Sequence, residues 1–146
     1  MDVKVFVFGN GNLSFKNFLE YYEKPITEIL KTNNPSFVLC DFKGVDTLTM
    51  ELLKCETANV SILHIGTTPR YSPDKYKTKV SQWNFIGGFQ SDIERDTAAI
   101  HMCTHFLAFD FNSNEKRKSG TLTNIENCLI QNKINIASTL LREIKG

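Results

Sequence analysis

Val3-Lys4-Val5-Phe6-Val7-Phe8, followed by Gly9-Asn10-Gly11-Asn12, is an apolar run stopped by a glycine turn. Such a run reads as a buried strand, and the Gly-Asn pairs end it. Ser14 then stands where a helix N-cap is wanted, and Phe15, Phe18, Leu19, Tyr22, Ile26, Ile29 and Leu30 recur at helical spacing. Pro25 interrupts that spacing, which predicts a kink or two short helices. The strand–turn–helix unit recurs. Ser36 to Cys40 is a second strand, Asp41 to Asp46 a turn, and Thr47 to Lys54 a helix with Leu48, Leu52 and Leu53 inward. Val60 to Ile65 is a third strand. Ser91 or Asp92 caps a helix running to about Cys103, and Thr104 to Phe109 is a fourth strand. Asn112 to Lys118 is a polar, basic connection, Gly120 to Gln131 a helix, and Lys133 to Ala137 a fifth strand. Thr139 to Ile144 has the pattern of a last helical turn. Only Gly66 to Phe89, with Pro69, Pro73, Gly87 and Gly88, lacks a period and reads as a long loop.

Alternating strands and helices predict one α/β domain: a five-stranded, mostly parallel sheet with helices on both faces. Right-handed crossovers gather the strand-to-helix turns at one edge. Ligands of such folds bind outside the carboxyl ends of the strands, where the strand order reverses. That reversal is expected between the first and fourth strands, so the Gly9 loop and the Gly120 turn should face each other.

The 146 residues fit a single domain with its own core. A net charge of +1 argues against nucleic acid held by bulk charge, although a local basic site remains open. No apolar run is long enough to span a membrane, and Met1-Asp2-Val3-Lys4 carries no secretory pattern. Cys40, Cys55, Cys103 and Cys128 are scattered without CxxC spacing, as expected of free thiols in a reducing cytosol. A cytoplasmic protein is therefore expected.

Several residues are candidates for chemistry. Ser119-Gly120-Thr121-Leu122-Thr123-Asn124 opens a helix with small and hydroxyl residues, which leaves backbone N–H groups for an anion. Gly120 and Thr121 are the first choice for phosphate contacts; an ordinary helix start is the alternative. Lys116, Arg117 and Lys118 precede it and either clamp a phosphate or form a solvated loop. Gly9, Asn10, Gly11 and Asn12 match a dinucleotide fingerprint only in part. Asp41, Lys43, Gly44 and Asp46 form the second turn. There Gly44 supplies an unusual backbone angle, and Asp46 either caps the helix or meets ribose hydroxyls. Asp92, Glu94, Arg95 and Asp96 crowd one helix start. Arg95 either meets a phosphate or pairs with Asp92 or Asp41. Tyr71, Trp83, Phe85 and Phe89 either stack on a base or form a local core or a dimer contact. His101-x-Cys103-x-His105 resembles a metal spacing but reads as structural, as does His64. Neither metal nor cofactor is expected.

Three of these segments, in this order, resemble the SLOG superfamily of Rossmann-like nucleotide binders. Phe37-Val38-Leu39-Cys40-Asp41-Phe42-Lys43-Gly44-Val45-Asp46-Thr47-Leu48 resembles its strand and GD-x-x-GVD-x-L turn. Ile93-Glu94-Arg95-Asp96-Thr97-Ala98-Ala99-Ile100 is similar to the x-ERK-x-x-M helix of its lonely-guy branch, and Ser119 to Asn124 to that branch's G-x-GT-x-x-E turn. The likeness spans roughly Val3 to Ile136. It implies a nucleotide-type small molecule bound through phosphate and ribose, and a homodimer. The branch cleaves N-glycosidic bonds of nucleotides with a motif arginine and glutamate. Arg95 matches the arginine, Asp96 stands in place of the following lysine, and Asn124 in place of the glutamate. An amide is no general acid or base at neutral pH, and losing one typically forfeits ~10²–10⁴ in rate. Sensing or sequestering a ligand is therefore the first expectation. Hydrolysis or transfer is the second, with Asp46, Asp92, Glu94 and Arg95 (and Asp41) as candidates. Single-stranded DNA binding, found in other members, is disfavoured by the neutral charge.

Overall fold

The computed structural model describes residues 2–138, so the helical turn expected from Thr139 lies outside the described residues. Strand β1 (Lys4–Val7) leads through the glycine turn to α1 (Phe15–Phe18). Ser14 caps α1, its hydroxyl accepting a hydrogen bond from Asn17 N at 3.1 Å. The chain continues without a break through a π-helical turn (Leu19–Glu23) into α2 (Lys24–Leu30), with Pro25 in the first turn of α2. The interruption predicted at Pro25 thus takes the form of one widened turn. There follow β2 (Ser36–Cys40), α3 (Val45–Leu53), β3 (Val60–Ile65), β4 (Asn84–Phe89), α4 (Asp92–Met102), β5 (His105–Leu107), α5 (Gly120–Ile130) and β6 (Ile134–Asn135).

The sheet has six strands in the order β4-β3-β2-β1-β5-β6, each neighbouring pair parallel. The order reverses between β1 and β5, the first and fourth strands expected from sequence. The count of five is corrected to six. β4 lies inside the segment read as loop, and its NFIGGF sequence explains the omission. Two glycines erase the alternation, and an edge strand buries too little to need it. Gly88 takes a φ of +94° beside the register shift in the β3–β4 pairing.

Period-two alternation builds a core on each face. Val5, Val7, Phe37, Leu39, Ile62 and Leu107 pack under α1, the π turn, α2 and α3. Phe6, Phe8, Val38, Cys40, Leu63 and Phe106 pack under α4 and α5. Burying each large apolar side chain contributes about 1.5–3 kcal/mol, so a register slip of one residue would forfeit both cores. The crossover from β3 to β4 has no α-helix. Tyr71, Val80, Trp83 and Phe85 fold back onto the first core instead, with Trp83 Nε1 donating to Thr57 O at 2.9 Å. Among the described residues, no helix is long and apolar enough to cross a membrane.

Tyr22, on the π turn, fixes how β1 and β5 separate. Phe8 N still donates to Leu107 O at 3.1 Å. Past that bond the Tyr22 hydroxyl bridges the two chains, donating to Phe8 O at 2.8 Å and accepting from Phe109 N at 2.9 Å. Burial raises the phenol pKa well above its ordinary value, so the hydroxyl keeps the proton it donates.

Candidate functional site

A cleft of about 450 Å³ opens at the carboxyl ends of the strands, where β1 and β5 diverge. Its walls are the Gly9–Asn12 loop, the Phe42–Asp46 turn, the start of α4 and the start of α5. Of the residues singled out from sequence, Gly9, Asn10, Gly11, Asn12, Lys43, Asp46, Asp92, Arg95, Asp96, Arg117, Ser119, Gly120, Thr121 and Asn124 line it. Asp41 and Gly44 do not line it: Asp41 is buried against Arg95, and Gly44 lies against the Asn10 and Gly11 backbone. Glu94 is exposed and folds back to accept from Gln90 N at 3.2 Å. Lys118 pairs with Glu126 at 2.7 Å. Tyr71, Trp83, Phe85 and Phe89 pack in the cores and do not line the cleft. His101, Cys103 and His105 belong to no metal-holding group among the described residues.

The β1 and β5 turns are sewn together by Asn10 and Asp110. Asn10 Nδ2 donates to Asp110 Oδ1 at 3.0 Å and to Thr121 Oγ1 at 3.3 Å, while its Oδ1 accepts from Phe111 N at 2.8 Å. Asp110 Oδ1 also accepts from the Ser119 hydroxyl at 2.7 Å and from Asn112 N at 3.2 Å. Burial alone would raise the Asp110 pKa. Hydrogen bonds from Ser113, Asn10, Ser119 and Asn112 outweigh it and hold the carboxyl down at about 2. Ser119 caps α5 by accepting from Leu122 N at 3.0 Å. The neighbouring Gly120 has nothing within 4 Å of where a Cβ would point. The protein's own packing therefore does not require glycine there.

The other glycines have internal reasons. A Cβ on Gly9 would strike the Tyr22 hydroxyl, and one on Gly11 would lie 2.5 Å from the Phe42 ring. Gly44 takes a φ of +79°, and a Cβ there would come within 2.5 Å of Asn10 O and 2.6 Å of the Gly11 carbonyl. The unusual angle predicted at Gly44 is present, and it lets the first two turns press backbone to backbone. Gly44 is also the N-cap of α3. Asp46 therefore sits inside the first helical turn rather than at the cap, its Oδ2 accepting from Phe42 N at 3.0 Å.

The opposite wall is built on Arg95, which is 3% exposed. Its Nη1 lies 3.0 Å from Asp41 Oδ1 and 3.2 Å from Asp92 Oδ1. Its Nη2 and Nε both reach Asp96 Oδ1, at 3.0 and 3.1 Å. The ion pairs weighed for Arg95 from sequence are thus formed, and its donors are committed to carboxylates. Arg70, from the long connection, adds a donor from its backbone N to Asp41 Oδ2 at 2.8 Å and from Nη2 to Asp92 Oδ1 at 3.1 Å. Asp96 Oδ2 in turn accepts from Asn124 Nδ2 at 3.0 Å. Asp96 and Asn124, which stand in place of the lysine and the glutamate of the resembled motifs, are therefore hydrogen-bonded to each other.

Sequence reasoning missed Asp110 and Arg70 and gave Asp96 no role. The signal for Asp110 was its place just past a strand end, level with Asn10 after β1. Arg70 had no signal, since only the folded connection brings it to Asp41. Fold and cleft together define a doubly wound, parallel α/β domain with a polar cleft at its topological switch point. No protein-family model, curated protein or solved structure matches the chain.

Proposed function

We propose that the domain binds a nucleotide, or a nucleotide-derived signalling ligand, in this cleft, and senses or sequesters it. The observation that carries the reading is the open space over Gly120 at the capped start of α5, inside a cleft at the switch point. Backbone N–H groups and the helix dipole favour a phosphate there. One helix terminus supplies only ~0.3–1 kcal/mol when exposed, and micromolar affinity needs about 8 kcal/mol. Further groups must converge, and Thr121, Arg117 and Lys43 line the same cleft. The Asp46, Asp96 and Asn124 side offers polar partners for ribose hydroxyls. Arg95 supports the site by holding Asp41, Asp92 and Asp96 in place. The scattered, disulfide-free cysteines accord with a cytoplasmic setting, and the resemblance to SLOG proteins favours a homodimer.

The test is native mass spectrometry of freshly purified protein for a co-purified nucleotide, followed by calorimetry on wild type and Gly120→Asp. Loss of binding with an intact fold is expected. Equal affinity in the two proteins counts decisively against this phosphate site. A second reading, hydrolysis or transfer at an N-glycosidic bond, is favoured by one observation: the carboxyl of Asp46 is buried in the cleft wall. Incubation with adenosine 5′-monophosphate separates the two, since only an enzyme releases free adenine.

A further inference from the structure

Four carboxylates gather near the buried guanidinium of Arg95, and they are not equivalent. Asp41 and Asp92 are each approached by both Arg95 and Arg70, and Asp96 is held by Arg95. Asp46 takes no ion pair from any cationic side chain among the described residues. It is 5% exposed, its one hydrogen bond comes from Phe42 N to Oδ2, and it lines the cleft. A carboxyl buried without a cation is far costlier ionised than neutral. Three other carboxylates already share the two guanidinium groups of Arg95 and Arg70.

We propose that Asp46 is a neutral carboxylic acid facing the ligand and is the proton donor of the cleft. The assignment rests on the nucleotide reading for the identity of the acceptor, but not for the protonation of Asp46. Its surroundings agree. Cys40 and Asp41 face it from the end of β2, Tyr22 from the π turn, and Arg95 and Asp96 from α4. Burial is the largest influence and raises its pKa well above the carboxylate range, Asp96 and Asp41 add to the rise, and Phe42 N and Arg95 only partly oppose it. In the bound state the acid donates a hydrogen bond to a ligand acceptor. Where the ligand is cleaved, the electron pair of the C1′–N bond passes to the base nitrogen, which takes the Asp46 proton. Water adds its oxygen to C1′ and returns one proton to the Asp46 carboxylate, leaving sugar phosphate and free base.

Carbon NMR of the full chain labelled with [13C]aspartate tests the protonation without any ligand, from about pH 5 to about pH 8. One carboxyl carbon, absent from Asp46→Asn, should hold its protonated position at about pH 7 while the others have ionised. If the resonance removed by that substitution is already ionised there, the proposal is overturned. Stability gives a second reading. Asn is an isostere of a neutral acid, so Asp46→Asn should melt close to wild type, and Asp96→Asn, which strips a partner from Arg95, well below it. Equal losses count against a neutral Asp46. Adenosine 5′-monophosphate is the binding probe. An amide can still donate, so Asp46→Asn should keep affinity within about threefold while Asp46→Leu loses about tenfold or more. An Asp46→Asn protein as weak as Asp46→Leu would mean an ionised acceptor and sink the idea. A wild type that binds neither this probe nor ribose 5-phosphate overturns the nucleotide reading instead, and the carbon spectrum still decides Asp46.

Discussion

Two glycines separate the demands of the fold from those of the cleft. Gly44→Ala puts a Cβ against the Asn10 and Gly11 backbone at a positive φ. It should cost about 2 kcal/mol or more, read as a lowered denaturation midpoint. Gly120→Ala should leave stability unchanged, because its Cβ meets nothing. Gly120→Asp should even gain ~0.3–1 kcal/mol from an anion at the start of α5 while losing nucleotide binding, a combination that unfolding cannot mimic. Asp110 gives a pH prediction. Its folded-state pKa of about 2 lies below the ordinary aspartate value of 3.8, so its stabilisation is present above 3.8 and is lost as pH falls through about 2. Asp110→Asn should be less stable than wild type at neutral pH and should lack this part of the acid-side decline in a pH series of thermal melts. Asn124→Glu would set a second carboxylate against Asp96. It should weaken the α4–α5 contact rather than install a catalytic acid, which a melt and an adenine-release assay would show together.

Among the elements, the helices and the five longer-patterned strand segments were legible because each has one clear period and a cap or glycine stop. Ser14 caps the helix that its position announced, Ser91 rather than Asp92 caps α4, and Ser119 caps α5. β4 was illegible because glycines occupy the positions that would have shown alternation. The π turn was visible only as a disturbance around Pro25, since nothing in composition distinguishes a widened turn from a kink. Its product is Tyr22, buried between the two diverging strands. Tyr22→Phe removes one hydroxyl and strands two backbone groups, Phe8 O and Phe109 N. The expected loss is about 1–3 kcal/mol by denaturant unfolding. Most of the candidate residues were legible as turn residues at strand ends. Their division of labour was not. Whether an arginine meets phosphate or carboxylate depends on neighbours from α4, β2 and the long connection, which no local pattern encodes.

For the whole molecule, the sheet order matters most, because it converts two turns a hundred residues apart into facing walls. A ligand binding only the folded form should raise the melting temperature. Near 100 times its Kd it adds about 2.7 kcal/mol to stability, and Gly120→Asp should abolish that increment. The Tyr22 bridge carries the matter beyond local stability. The hydroxyl that sets the gap between β1 and β5 belongs to the helical layer on one face, while Arg95 and Asn124 come from helices on the other. The width of the cleft is therefore a property shared by both layers, not owned by the sheet. For a ligand bound as proposed, occupancy and the seating of the first helical segment would be thermodynamically linked, each favouring the other equally. Bound ligand should slow amide exchange in the Leu19–Glu23 turn, although none of that turn lines the cleft.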